Sequence, residues 1–178
     1  MKNILIYSVL VAVSLQSRIF ADDAKSYEWG ALTNKVQMSI SLVNGSNEIK
    51  LGEPVNLLIQ FGNITTNETF LAHYSNGGGP CQGLSFVITD PSNTDVSPVY
   101  PKGYQAFSFA HFRVPPNQTN GFKFNLDSLC NSGFLQRFDK IGTYKILAMQ
   151  EGQFVGTNQV FFTVISNPLY VTAVPDKR

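Results

Sequence analysis

The chain has 178 residues, 14% of them charged, with a formal net charge of +1. No Lys/Arg cluster is present to drive binding to nucleic acid or anionic membrane, so charge steering is set aside. Hydrophobic residues make up 43% and Phe alone supplies 14 positions, enough to build a core of its own.

The chain opens on Met1-Lys2-Asn3, an apolar run from Ile4 to Leu15, and Gln16-Ser17-Arg18-Ile19-Phe20-Ala21. A basic start, a short apolar segment and a small residue before a polar stretch form the pattern of a secretory signal peptide, expected over residues 1–21. The run is shorter than the roughly 20 apolar residues of a membrane span. No Cys lies near Ala21, which argues against a lipoprotein anchor. Cleavage there removes Lys2 and Arg18 and leaves 157 residues with a formal charge of −1. The expected location is secreted or periplasmic, with no stable membrane insertion afterwards.

Residues 22–33 read as an N-terminal extension, 34–166 as one β-domain and 167–178 as a C-terminal tail. Within the domain, Val36, Met38, Ile40 and Leu42 alternate with polar residues, the signature of a half-buried strand, and Asn44-Gly45 supplies a turn. Val55, Leu57, Ile59 and Phe61 follow Gly52-Glu53-Pro54; then come Phe70, Ala72 and Tyr74, and Leu84, Phe86 and Ile88. Tyr104–Val114 is apolar on both faces, fitting a strand buried on both sides or an interface. Phe122, Phe124 and Leu126, then Tyr144, Ile146 and Ala148, then Val160, Phe162 and Val164 complete about eight strands. Phe134 and Phe138 are one helical turn apart, so a short helical turn is expected near residues 133–138. The predicted fold class is an all-β, antiparallel sandwich.

Three strings carry a family likeness: Leu51-Gly52-Glu53-Pro54-Val55, Leu84-Ser85-Phe86-Val87-Ile88-Thr89-Asp90-Pro91, and Gly142-Thr143-Tyr144. The last resembles the tyrosine corner of immunoglobulin-like sandwiches, where a Tyr hydroxyl ties back to upstream backbone. Together they resemble bacterial exported immunoglobulin-like domains related to the BsuPI-like proteinase inhibitors. The resemblance implies a fold, with Gly142 and Tyr144 as a structural corner, and does not carry inhibitor activity with it.

Cys81 and Cys130 are the two cysteines. In an oxidising compartment they would form a disulfide, worth roughly 4 kcal/mol in the loop-entropy model; two free thiols are the other reading. Neither a Cys-His signature nor a spaced ligand set accompanies His73 or His111, so no catalytic residue, metal or cofactor is expected. Glu28, Glu53, Glu68, Asp90, Asp95, Asp127, Asp139 and Glu151 are scattered, and no hydrolase carboxylate pair stands out. Gly77-Gly78-Gly79-Pro80 lacks the Lys-Ser/Thr of a phosphate loop. Asn44, Asn63, Asn67 and Asn117 open matches to the N-glycosylation acceptor pattern.

The loop 91–105 is long for a hairpin, and its Tyr100, Lys102 and Tyr104 are the candidate recognition residues. The function expected is therefore a non-enzymatic exported module binding a protein or glycan through loops or a sheet edge. The alternatives are a BsuPI-like proteinase inhibitor and a small hydrolase with an unmarked carboxylate pair.

Overall fold

The computed structural model describes residues 27–75, 83–98, 109–126, 138–156 and 160–176. Among the described residues there are ten strands: β1 Val36–Leu42, β2 Glu48–Lys50, β3 Asn56–Asn63, β4 Phe70–Ser75, β5 Leu84–Thr89, β6 Phe109–Val114, β7 Gln118–Asn125, β8 Gly142–Phe154, β9 Phe162–Ile165 and β10 Leu169–Val174. The chain is an all-β sandwich. An antiparallel three-stranded sheet in the order β1-β3-β7 faces a larger sheet in the order β2-β10-β8-β4-β6, with β5 and β9 also paired to β8. The alternation expected for β1 holds, with Val36, Met38, Ile40 and Leu42 all buried. The expected helical turn at 133–138 falls, except for Phe138, outside the described residues.

The 13-residue β8 is the spine of the larger sheet. Its Ile146 faces Leu169 of β10 on one side and Ile88 of β5 on the other. Further along, Gly152 faces Phe162 of β9 and Ala72 of β4. Between the sheets Phe61 lies fully buried, with ring centroids 5.8 Å from Phe70, 6.0 Å from Phe112 and 6.4 Å from Phe122.

Two boundaries differ from the sequence reading. The stretch read as a C-terminal tail supplies β10, whose Leu169, Val171 and Ala173 are buried and which pairs with β8 and, in parallel, with β2. Pro168 does not end the sheet, because it sits in the crossing before the strand, where no ladder hydrogen bond is asked of it. The described part of the N-terminal extension is also built in: Gly30 N–H donates to Met38 O at 2.9 Å, and Thr33 exchanges backbone bonds with Val36 at 2.9 and 2.8 Å.

These contacts belong to a wider arrangement that closes the outer edge of β1. Asn167 Oδ1 accepts from Ile40 N–H at 2.9 Å, and Gly45 N–H donates to Leu42 O at 3.0 Å. Thr33, Gly30, Asn167 and Gly45 thus occupy successive outward groups of the strand. A blocked edge cannot template pairing with another chain.

At the Gly142–Tyr144 corner, the Tyr144 hydroxyl accepts from Lys140 N–H at 3.0 Å, and the ring is fully buried. Burial, the dominant influence, pushes the Tyr144 hydroxyl pKa up. Gly142 has φ +132°, and a Cβ there would meet Pro91 at 2.8 Å, so both the backbone and the space demand glycine. Lys140 also reaches Asp90 with its Nζ at 2.5 Å, while Asp90 Oδ1 accepts from Ser92 N–H at 2.9 Å and Thr94 N–H at 2.8 Å.

The Lys140 hydrogen bond, ahead of the backbone donors, holds the Asp90 carboxyl below its ordinary value of 3.8, and Asp90 raises Lys140 above its ordinary 10.5. A depressed carboxyl contributes stability above its unfolded pKa and loses it as pH falls through the folded one. The lysine contribution is complete below 10.5 and is lost as pH rises through the raised value. Stability of the parent should therefore fall more steeply than that of Asp90→Asn as pH drops below about 4. Urea midpoints measured for both proteins along an acid series check this.

Candidate functional site

Tyr100, Lys102 and Tyr104 lie outside the described residues, as do Cys81 and Cys130. The start of that same loop is described, and it does not project. Val96 N–H donates to Ile88 O at 2.8 Å, Ile88 N–H donates to Ser97 Oγ at 2.9 Å, and Asp95 bridges Thr89, so 94–97 folds back along β5. The two histidines, 38 positions apart in sequence, stand opposite each other in the β4–β6 register. Among the described residues, no three His, Cys, Asp or Glu side chains gather as a metal site. No described helix is long and apolar enough to cross a membrane.

The described carboxylates do not converge either. Asp90 is bound to Lys140, Glu53 lies 3.7 Å from Lys50, and Asp95 accepts from the Ser97 hydroxyl and backbone. Glu28 lines a groove.

That groove, about 520 Å³ in volume, runs along the outer edge of β1. Tyr27 and Glu28 form one part of its lining, the turn residues Val43, Gly45 and Asn47 another, and Pro168 to Tyr170 a third, with Ser39 to Leu42 as the strand between. The same edge closure that protects β1 shapes it. Gly30 bonds the N-terminal segment to the strand, Asn167 bonds the start of β10 to it, and the side chains just beyond each anchor are left around a hollow.

Asn167 is 6% exposed and spends its amide on Ile40, with Nδ2 donating to Ile40 O and Pro168 O at 3.4 Å each. Ser166 supports the crossing: its Oγ accepts from Ala148 N–H at 3.0 Å and donates to Asn167 O at 2.7 Å. On the other flank, Trp29 lies over Gly62 of β3, its ring 3.3 Å from where a Cβ would stand. Tyr27 meets the Trp29 ring edge-on, with centroids 5.9 Å apart. Trp29 thus fixes Tyr27 against the sheet face, while Tyr170 is 52% exposed. The lining therefore offers two phenol rings, the Glu28 carboxylate, the Ser41 hydroxyl and the Asn47 amide.

No family model and no curated protein matches this chain. Among solved structures it is similar to a structural-genomics target named SoR45, at 14% identity over 80% of this chain and 90% of that one, with a TM-score of 0.47. A Bordetella pertussis protein solved under the ApaA name gives 11% identity over 85% of this chain and 97% of that one, with a TM-score of 0.41. A β-glucosidase from Listeria innocua gives 13% identity over 79% of this chain but only 17% of that one, with a TM-score of 0.37. Likenesses at this level assign no activity and no partner.

Tyr27, Trp29 and Tyr170 are not among the candidates that sequence reasoning produced. A signal for each is present in hindsight. Tyr27-Glu28-Trp29 sets two aromatics about a carboxylate in a segment otherwise read as extension. Tyr170 stands out of phase with Leu169, Val171 and Ala173, which puts a large ring on the solvent side of β10. A second hollow is lined by Phe154, Val160 and Phe162 with Lys35 and Glu68.

Proposed function

We propose that this chain is an exported, non-enzymatic, immunoglobulin-like module that binds a saccharide through the β1-edge groove. The observation that supports it is the lining itself, which includes Tyr27 and Tyr170 together with Glu28, Ser41 and Asn47. Sugar rings present apolar C–H faces and a rim of hydroxyls. Phenol rings cover the first, and mixed donors and acceptors satisfy the second. The volume lies within the range of small-ligand sites. Among the described lining residues only Glu28 carries a carboxylate, which supports binding without hydrolysis, since glycoside cleavage uses two flanking carboxyl groups. The apolar run and Ala21 at the chain start support export.

Retention of the purified protein on insoluble polysaccharides (chitin, cellulose and peptidoglycan) tests the reading. The parent should be retained on at least one, and Tyr170→Ala should weaken that retention about tenfold, in line with a ring at a binding hot spot. Its exposure predicts no more than about 0.5 kcal/mol change in stability. Absence of retention on every polymer, or equal retention of parent and variant, overturns the proposal.

The resemblance of Gly52-Glu53-Pro54 and Gly142-Thr143-Tyr144 to BsuPI-like domains supports proteinase inhibition as a second reading. Slowed turnover by any member of a protease panel, surviving Tyr170→Ala, would favour it over the groove.

A further inference from the structure

We propose that the groove prefers saccharides carrying free amino groups, of the glucosamine-polymer kind, over neutral or acidic ones; this rests on the saccharide reading above. The charge of the lining carries the inference. Among the described residues of the groove, Glu28 is the only carboxylate, and no Lys, Arg or His is among them. Lys145 stands opposite Tyr170 in the β8–β10 register, yet it is not part of the lining. Among the described residues, no Lys, Arg or His pairs with Glu28.

A carboxylate and two phenol residues lining one groove are the chemistry that holds an ammonium group. The ring faces attract a cation through their quadrupoles, and the carboxylate accepts a charge-assisted hydrogen bond from it. A uronic acid in the same place would set its carboxylate against Glu28 with no cation to compensate. A neutral N-acetyl sugar keeps the ring contacts and loses the ionic one. The order of affinity follows: amino sugar, then N-acetyl sugar, then acidic sugar.

Trp29 is the single tryptophan of the chain and meets Tyr27 edge-on, so its emission reports occupancy of the groove without a label. The full chain is titrated with a fully deacetylated chito-oligosaccharide, its N-acetylated counterpart and an oligogalacturonate. The deacetylated oligomer should bind about fivefold more tightly than the N-acetylated one, the size of a partly screened ion pair with a ring contribution. The oligogalacturonate should bind most weakly. Glu28→Gln, at an exposed position, should reduce the affinity for the deacetylated oligomer by about that same factor. Saccharide binding with no amine preference, or a preference that survives Glu28→Gln, overturns this inference and leaves the saccharide reading standing. No binding by any of the three, together with no retention on the insoluble polymers, overturns both.

Discussion

Asn63→Ala should lower the free energy of unfolding by about 3 kcal/mol or more, the sum expected when several buried partners lose their hydrogen bonds at once. Asn63 is 1% exposed at the end of β3. Its Nδ2 donates to Glu68 O at 2.8 Å and to Val114 O at 2.9 Å, tying the smaller sheet to β6 and to the entry of β4. Its Oδ1 accepts from Thr65 N–H at 3.0 Å and from Thr65 Oγ1 at 2.7 Å. Truncation strips a partner from the buried Val114 carbonyl and the buried Thr65 amide, while the part-buried Glu68 carbonyl still has the Thr65 hydroxyl at 2.6 Å, whose single proton serves either it or Asn63 Oδ1. The urea midpoint should drop with an unchanged slope.

Asn63→Asp sharpens the test. A carboxylate there faces two carbonyl oxygens and supplies no donor, so burial and repulsion raise its pKa. A group whose folded pKa is raised costs most stability when ionised, so this variant should regain stability relative to the parent as pH falls. A variant that loses nothing, or loses equally at all pH values, would contradict the role given to the amide. The same bonds explain why the glycosylation-like match at Asn63 is a structural strut: both amide hydrogens are already donated inside the protein.

The second large effect is expected at Phe61. Its ring is fully buried and contacts Phe122 from its own sheet and Phe70 and Phe112 from the other. Phe61→Ala leaves a cavity between two stiff sheets, which cannot collapse to fill it. The loss should be about 3–5 kcal/mol, and clearly smaller for Phe61→Leu, which keeps most of the apolar volume. Chemical denaturation of both variants gives the comparison, and similar losses for the two would place the ring outside the load of the core.

Phe61 was legible from the sequence, because period-2 alternation in Val55-Leu57-Ile59-Phe61 marks one face of a strand whatever its partner. Asn63, one turn of the pleat further, was not. An Asn at a strand end reads as the start of a turn, and only the approach of Val114, 51 positions away, turns it into a buried cross-tie. Asn167 is the same case. Its neighbour Pro168 reads as punctuation, while its amide completes the edge of a strand 127 positions earlier. β10 was missed for that reason, and the groove with it.

The corner at Gly142 and Tyr144 shows the opposite balance. Gly-x-Tyr is local, and so is its main bond, from Lys140 N–H to the Tyr144 hydroxyl four residues on. The Pro91 contact that also demands glycine comes from a distant loop and left no mark in the local string. For the site the rule is the same. Candidate residues on loops can be nominated from composition, but a groove made by two chain segments flanking one strand exists only after long-range pairing has been fixed.

Amide chemical-shift mapping of the full chain, titrated with the saccharide that retains it best, tests the account most directly. Perturbed amides should cluster at residues 27–30, 39–47 and 167–170, around Tyr27, Glu28, Asn47 and Tyr170. Shifts confined to residues 151–156 and 160–165, in and beside β8 and β9, or spread evenly over both sheets, would contradict a binding site at the β1 edge.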